Sequence, residues 1–204
     1  MRCGSASPIR SPASGWSSSR RTPTTSVRHL PSSAMPTEPE SSPPLIRRAA
    51  AGEAVVIAAL FRRVREQNAA TIPPLVHSFA SVCAWVDTVL LARYDVWVAD
   101  RGGEVVAMMA LRHPDWLEHL YIDASARGQG LGSRLVALAK AELTGPAQLW
   151  TFQSNRGARR FYERHGFEAV QWTDGDNEEG APDVRYVDTA RSVSVGRCCH
   201  PGSK

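Results

Sequence analysis

Residues 117–143 read LEHLYIDASARGQGLGSRLVALAKAEL, and the succession of patterns within them decides the fold. Leu120 to Ile122 reads as the apolar end of a strand, Arg127 to Gly132 as a glycine turn, and Leu131, Leu135 and Leu138 as one face of an amphipathic helix. A turn made of Arg127-Gly128-Gln129-Gly130-Leu131-Gly132 leaves successive backbone N–H groups free at a helix N-terminus, where the helix dipole adds positive charge. Gly128, Gly130 and Gly132 carry no Cβ, so a diphosphate can lie directly against the backbone. Other phosphate signatures fit badly. Walker A requires Gly-Lys-Ser/Thr where this chain has Gly132-Ser133-Arg134, and the dinucleotide fingerprint spaces its glycines GxGxxG rather than GxGxG. A plain glycine turn is the bland explanation. Three glycines behind a leading arginine, between strand and helix, favour an anion cradle over it.

A second patterned stretch, QSNRGARRFYERHGFE at residues 153–168, follows the next strand. Asn155 is placed to cap a helix and Gly166 to end it, while Ala158, Phe161, Tyr162 and His165 share one face. Taken alone, it is a well-capped amphipathic helix.

Together the two stretches resemble the GNAT family of N-acetyltransferases. Residues 127–132 match its (Arg/Gln)xxGx(Gly/Ala) motif, and residues 155–167 are similar to its Asn, Ala-x-x-(Phe/Leu)-Tyr and Gly-Phe pattern. The resemblance spans about residues 45–188. It implies an α/β (α+β) fold: a central mixed sheet of about six to seven strands, helices on both faces, splayed between strands 4 and 5. It implies acetyl-CoA as cosubstrate, without a metal. The diphosphate would lie on Arg127, Gly128, Gln129, Gly130, Leu131 and Gly132, with further cofactor contacts from Tyr121, Ile122, Asn155, Arg159 and Tyr162. Backbone N–H near Ile122 would polarise the thioester carbonyl.

The chemistry needs a held donor, a neutral nucleophile, and stabilisation of the oxyanion and the leaving thiolate. The resemblance gives Tyr162 the role of protonating the thiolate, which a phenol with pKa about 10 can do; a core tyrosine with another partner is the structural alternative. An alkylammonium with pKa about 10 must lose a proton before attack. Glu118, beside the cleft, is the general-base candidate, directly or through water; His119 is a reserve and His77 a weaker one, and family members often use a water chain. Strict strand alternation groups Glu118 with Leu120 and Ile122, and His119 with Leu117 and Tyr121, without saying which face meets substrate.

Around these motifs the chain reads as a short strand at Leu45–Ala49, and a helix over about residues 52–68 with Val55, Ala58, Ala59 and Arg62 at helical spacing. A break at Ile72-Pro73-Pro74 precedes a second helix over about residues 78–91 with Phe79, Val82, Val86 and Leu90 on one face. Strands follow at 95–99, 104–112, 116–122 and 148–152, then a hairpin of 169–173 and 184–188. Its acidic loop from Asp174 to Gly180 lacks the spacing of a calcium loop. A solvated hairpin tip is the bland reading of that loop, and attraction of a cationic amine is the functional one.

Residues 1–34 hold ten Ser, four Pro, five Arg and no acid, too polar and proline-broken to pack. The expected organisation is a disordered or spurious leader at 1–42, an acetyltransferase domain at 43–189 and a disordered tail at 190–204. Without the leader's five arginines, 19 basic residues face 20 acidic ones, so the overall net charge of +4 is no argument for nucleic acid. Four cysteines without disulfide or zinc spacing, and no secretory or membrane-spanning run, suit a cytoplasmic protein. Cys198, Cys199 and His200 lack a fourth metal ligand. The expected partners are a small-molecule or peptide amine acceptor, with no nucleic acid and no membrane, in a monomer or homodimer. The competing reading is a non-catalytic acyl-CoA-binding sensor or interaction module, because a cradle alone explains binding.

Overall fold

The computed structural model describes residues 42–192; the leader up to residue 41 and the tail from residue 193, with its cysteine pair, lie outside them. A seven-stranded sheet runs in the order β1-β2-β3-β4-β5-β7-β6. Its strands are β1 (Leu45–Arg48), β2 (Asp95–Arg101), β3 (Glu104–Arg112), β4 (Trp116–Ile122), β5 (Gln148–Phe152), β6 (Phe167–Trp172) and β7 (Asp183–Asp188). All neighbours are antiparallel except β4 and β5. Gly102 and Gly103, both with positive φ, turn β2 into β3.

β3 is buried from Val105 to Leu111 because helices cover both its faces. On one face lie α1 (Ala54–Gln67), α2 (Phe79–Trp85), a π-helical turn at Val86–Leu90 and the short α3 (Leu91–Arg93). Ile57, Leu60, Val64, Val82, Val86 and Leu90 pack there against Val96, Val98, Met108 and Ala110. Ser78 caps α2 by accepting from Ser81 N–H at 3.2 Å. On the other face, α4 (Leu131–Glu142) and α5 (Arg156–Arg164) pack Leu131, Leu135, Val136 and Tyr162 against Met109, Leu111, Leu149 and Tyr186. Each fully buried aliphatic side chain contributes roughly 1.5–3 kcal/mol. A terminal turn, α6 (Thr189–Ser192), follows β7.

Two expectations are corrected. The stripe of α1 anticipated on Val55, Ala58, Ala59 and Arg62 is not the buried one: Val55 is 59% exposed, and the helix buries Ala54, Ile57, Ala58, Leu60, Phe61, Val64 and Arg65. The larger apolar area of Ile57, Leu60, Phe61 and Val64 sets the rotation of the helix. The alternation on β4 is also broken. Ala110 pairs with His119 but Leu111 pairs with Leu117, so Glu118 is the extra residue of a β-bulge. Leu117 therefore joins Leu120 and Ile122 in the core beneath α4 and α5, and does not share the face of His119. Glu118 pairs with Arg112, whose β3 alternation places it with Met108 and Ala110 on the α1 side.

Candidate active site

β4 and β5 share a single pairing, Trp116 with Gln148, at their N-terminal ends. That end is pinned. Asp115 accepts from Gln148 through both backbone (2.8 Å) and side chain (2.8 Å), and Pro114 O accepts from Thr144 N–H (3.0 Å) and Gly145 N–H (3.2 Å). Beyond it the strands part. Asp123 N–H donates to Val106 O across β3 (2.9 Å), so alternation turns the N–H groups of Ile122 and Leu120 towards β5, where no ladder partner meets them. This exposed strand edge opens into a cleft of about 510 Å³ reaching from Gly128 and Ser133 at one end to Val64 and Ile72 at the other.

The cradle forms one end. Gly130, with φ +76°, is the N-cap of α4, and the first intrahelical bond is Arg134 N–H to Gly130 O (3.1 Å). Among the described residues no protein acceptor meets the amides of residues 128–133. Six successive donors at the positive end of a twelve-residue helix fit a diphosphate, and at Gly128 and Gly130 a Cβ would point into open space. Gly132 has a different role. A Cβ there would lie 3.1 Å from the Phe161 ring and 3.2 Å from Ile122 Cδ1, so its absence lets α4 pack against α5 and β4.

The turn is held from α1. Asp123, almost fully buried, accepts from Ser125 N–H (2.9 Å), Arg63 Nε (2.6 Å) and Gln67 Nε2 (3.1 Å), while Gln67 Oε1 accepts from Ala124 N–H (3.0 Å). Burial alone would raise the pKa of this carboxyl, but those hydrogen bonds hold it well below the usual carboxylate range. Arg127 is folded back onto Ile122 O (3.0 Å) and Asn68 Oδ1 (3.2 Å), bracing the turn while still lining the cleft. Gln129 points away, bonded to Arg101 (2.7 Å) and Ser125 O (3.0 Å), and Leu131 is in the core.

α5 supplies the other wall. Asn155 caps it by accepting from Ala158 N–H (3.1 Å), and Ala158, Phe161, Tyr162 and His165 all line the cleft. Burial, then the neighbouring Tyr121, pushes the Tyr162 phenol well above its ordinary value, so it stays protonated. Its hydroxyl has no protein partner among the described residues. His165 Nδ1 donates to Phe161 O (2.7 Å) and its Nε2 meets Ser133 Oγ (2.9 Å), tying α5 to the first turn of α4.

The structure thus brings Tyr121, Ile122, Arg127, Gly128, Gly130, Gly132, Asn155 and Tyr162 to one cleft. Arg159 is elsewhere, bonded to the Tyr186 hydroxyl (3.3 Å) and Gln153 O (3.4 Å) and stacked over Trp172. Glu118 does not line the cleft. His119, on the α1 side of β4, packs edge-on to Trp85 with centroids 5.5 Å apart, and burial together with the Arg65 charge lowers its pKa to about 4. His77 does not line the cleft and lies exposed, 3.2 Å from Glu178. Sequence reasoning missed Asp123, Gln67 and Arg65. Asp123, just ahead of the glycine turn, is the one with a local signal, because Asp before Ala124-Ser125-Ala126 reads as a cap.

No group of three His, Cys, Asp or Glu among the described residues is placed to hold a metal ion. No helix among them is long and apolar enough to cross a membrane.

Residues 92–169 match the family model described as an acetyltransferase (GNAT) domain. The chain is similar to a probable N-acetyltransferase of Mycobacterium tuberculosis, 30% identical over 81 residues, covering 36% of this chain and 47% of that protein. It is also similar to a blasticidin-S acetyltransferase of Streptomyces morookaense, 33% identical over 85 residues and covering 36% and 59%. The chain spans about half the length of the curated relatives it matches. Among solved structures, the apo form of YjaB from Escherichia coli superposes with TM-score 0.57 at 21% identity, covering 71% of this chain and 97% of that one. A ribosomal-protein-alanine N-acetyltransferase from Brucella melitensis gives 0.54 at 18%, covering 70% and 98%. At such identities these structures speak to the fold alone.

Proposed function

We propose that this chain, whose residues 92–169 match an acetyltransferase (GNAT) domain, moves the acetyl group of acetyl-CoA to a primary amine by direct attack in a ternary complex. The observation that carries the reading is the row of unpartnered amides at residues 128–133 beside the parted strands β4 and β5. When bound, the cofactor supplies an activated thioester. The amides of residues 128–133 hold its diphosphate, and the free edge of β4 at Leu120 and Ile122 aligns the pantetheine arm as an added strand. The N–H of Ile122 would then donate to the developing oxyanion.

Tyr162 protonates the departing sulfur. Its neutral, unpartnered phenol in the cleft wall supports that role. Among the described residues no carboxylate lines the cleft, so the acceptor's ammonium proton leaves through water towards the α1 side of β4, where the bulge sets Glu118 beside Arg112 and where His119 is kept neutral. Gln129, Leu131 and Arg159 contribute backbone donors or scaffolding.

A CoA-release assay against a panel of amines tests the reading, with Tyr162→Phe in parallel. Turnover that drops roughly 10²-fold in the variant, at unchanged cofactor affinity, is the expected result. Tight cofactor binding with no turnover on any amine would favour the non-catalytic sensor.

A further inference from the structure

One charged side chain stands where β4 and β5 have parted, on the face opposite the cofactor helices. Arg65, in the last turn of α1, is only 6% exposed. Its guanidinium carbon lies 5.8 Å from the centroid of the Phe61 ring and 5.9 Å from that of Phe152 at the end of β5, and its charge acts on His119 and Tyr121 of β4. Tyr121 also lines the cleft. Arg65 therefore spans the seam between the two strands, behind Val64 and Tyr121 of the cleft wall.

The guanidinium is only partly used. Nη2 gives its two hydrogen bonds, to Pro73 O (2.9 Å) and to Glu179 Oε1 (2.7 Å), and the guanidinium also meets the Tyr121 side chain, while Nε is buried and meets no acceptor. An unsatisfied donor on a buried cation is costly unless something else occupies it for part of the protein's cycle. Glu179 reaches Arg65 from the β6–β7 loop, 114 residues away in sequence. That loop has its own frame, in which Asn177 bonds to Ala181 O (2.7 Å), to Asp183 (3.1 Å) and to Ala181 N–H (3.2 Å). A neutral or purely cationic amine that pushed Glu179 aside would leave a buried cation unpaired. An incoming carboxylate would replace it and could engage Nε and Nη2 together.

We propose that Arg65 is an anion receptor for the acceptor: the amine that this chain acetylates carries a carboxylate, as an amino acid does, and exchanges it for that of Glu179. The proposal rests on the acetyl-transfer reading above. It is tested with matched pairs of amino acids and their carboxamides, following CoA release and cofactor binding in the same samples. The carboxylate member of each pair is expected to win by roughly 100-fold in kcat/KM. Glu179→Gln, a conservative change in a loop, weakens the resident competitor and lowers KM for carboxylate acceptors several-fold with kcat little changed. Arg65→Lys keeps the charge, loses the fork and shrinks the preference below tenfold. Should Arg65→Lys not fold, the wild-type pairs and Glu179→Gln decide alone. Equal or better use of the carboxamides, or a higher KM for carboxylates in Glu179→Gln, overturns the anion receptor and leaves acetyl transfer standing. Absence of cofactor binding overturns the acetyl-transfer reading, and the receptor with it.

Discussion

Gly132→Ala is the change that probes the contact between the two walls of the cleft. The added Cβ would sit 3.1 Å from two atoms of the Phe161 ring and 3.2 Å from Ile122 Cδ1, inside ordinary van der Waals contact. The backbone of Gly132 is helical, so no left-handed strain is added, and the whole effect comes from overpacking. Relief requires Phe161 or Ile122 to give by a few tenths of an ångström. Such overpacking costs about 1–3 kcal/mol, and each kcal/mol lowers Tm by about 2–4 °C in a chain of this size. Both displaced side chains line the cleft, so cofactor affinity falls as well. Thermal melts of Gly132→Ala, Phe161→Leu and the double variant form the assay. Leucine at 161 removes the ring atoms that clash, so the double variant is expected to be more stable than the sum of the single effects by about 1 kcal/mol. Additive losses, or a Gly132→Ala protein that melts with the wild type, would refute the reasoning. Gly130→Ala makes the contrast: it meets no atom within 4 Å, and its cost of roughly 1–2 kcal/mol arises from φ +76°.

Asp123→Asn keeps the shape but turns an amide NH2 towards donors on Arg63 and Gln67, so it should cost about 2–4 kcal/mol in urea melts and loosen the cradle enough to weaken cofactor binding; unchanged stability would count against the anchor. The lowered pKa of His119 means that the unfolded chain binds a proton at about pH 6.5 that the folded chain refuses until about pH 4. Stability from this group is therefore full above pH 6.5 and is lost as pH falls towards 4, by up to about 3 kcal/mol. His119→Phe preserves the ring packing and should flatten that part of the stability profile, and an unaltered slope would show that His119 titrates normally. Glu118→Gln should lower kcat by less than tenfold if its contribution runs through water, whereas a loss above 10³-fold would mark direct proton transfer.

What could be read from the sequence was local. The strand–turn–helix at 117–143 and the capped helix at 155–165 each carry their own turn glycines, caps and spacing, and the parting of β4 from β5 follows from the family resemblance they support. What could not be read depends on contacts distant in sequence. The bulge at Glu118 leaves every residue type in place and only changes the register with β3, so alternation misplaced Leu117. Asp123 looks like an ordinary cap until Arg63 and Gln67 arrive from 60 and 56 residues away. Arg65 breaks the polar–apolar code of α1: a cation on the buried stripe is tolerable only because Glu179 and Pro73 O meet it there.

Cofactor recognition turns on the amides of residues 128–133. Titrating ¹⁵N-labelled protein with CoA and following backbone amide resonances tests this directly. Saturable shifts at Gly128, Gly130, Leu131, Gly132 and Ser133, accompanied by Leu120 and Ile122 and lost with a pantetheine lacking the diphosphate at the first five positions only, are the predicted result. Amides at 128–133 that stay unmoved at saturating CoA, or shifts confined to other parts of the sheet, would contradict it.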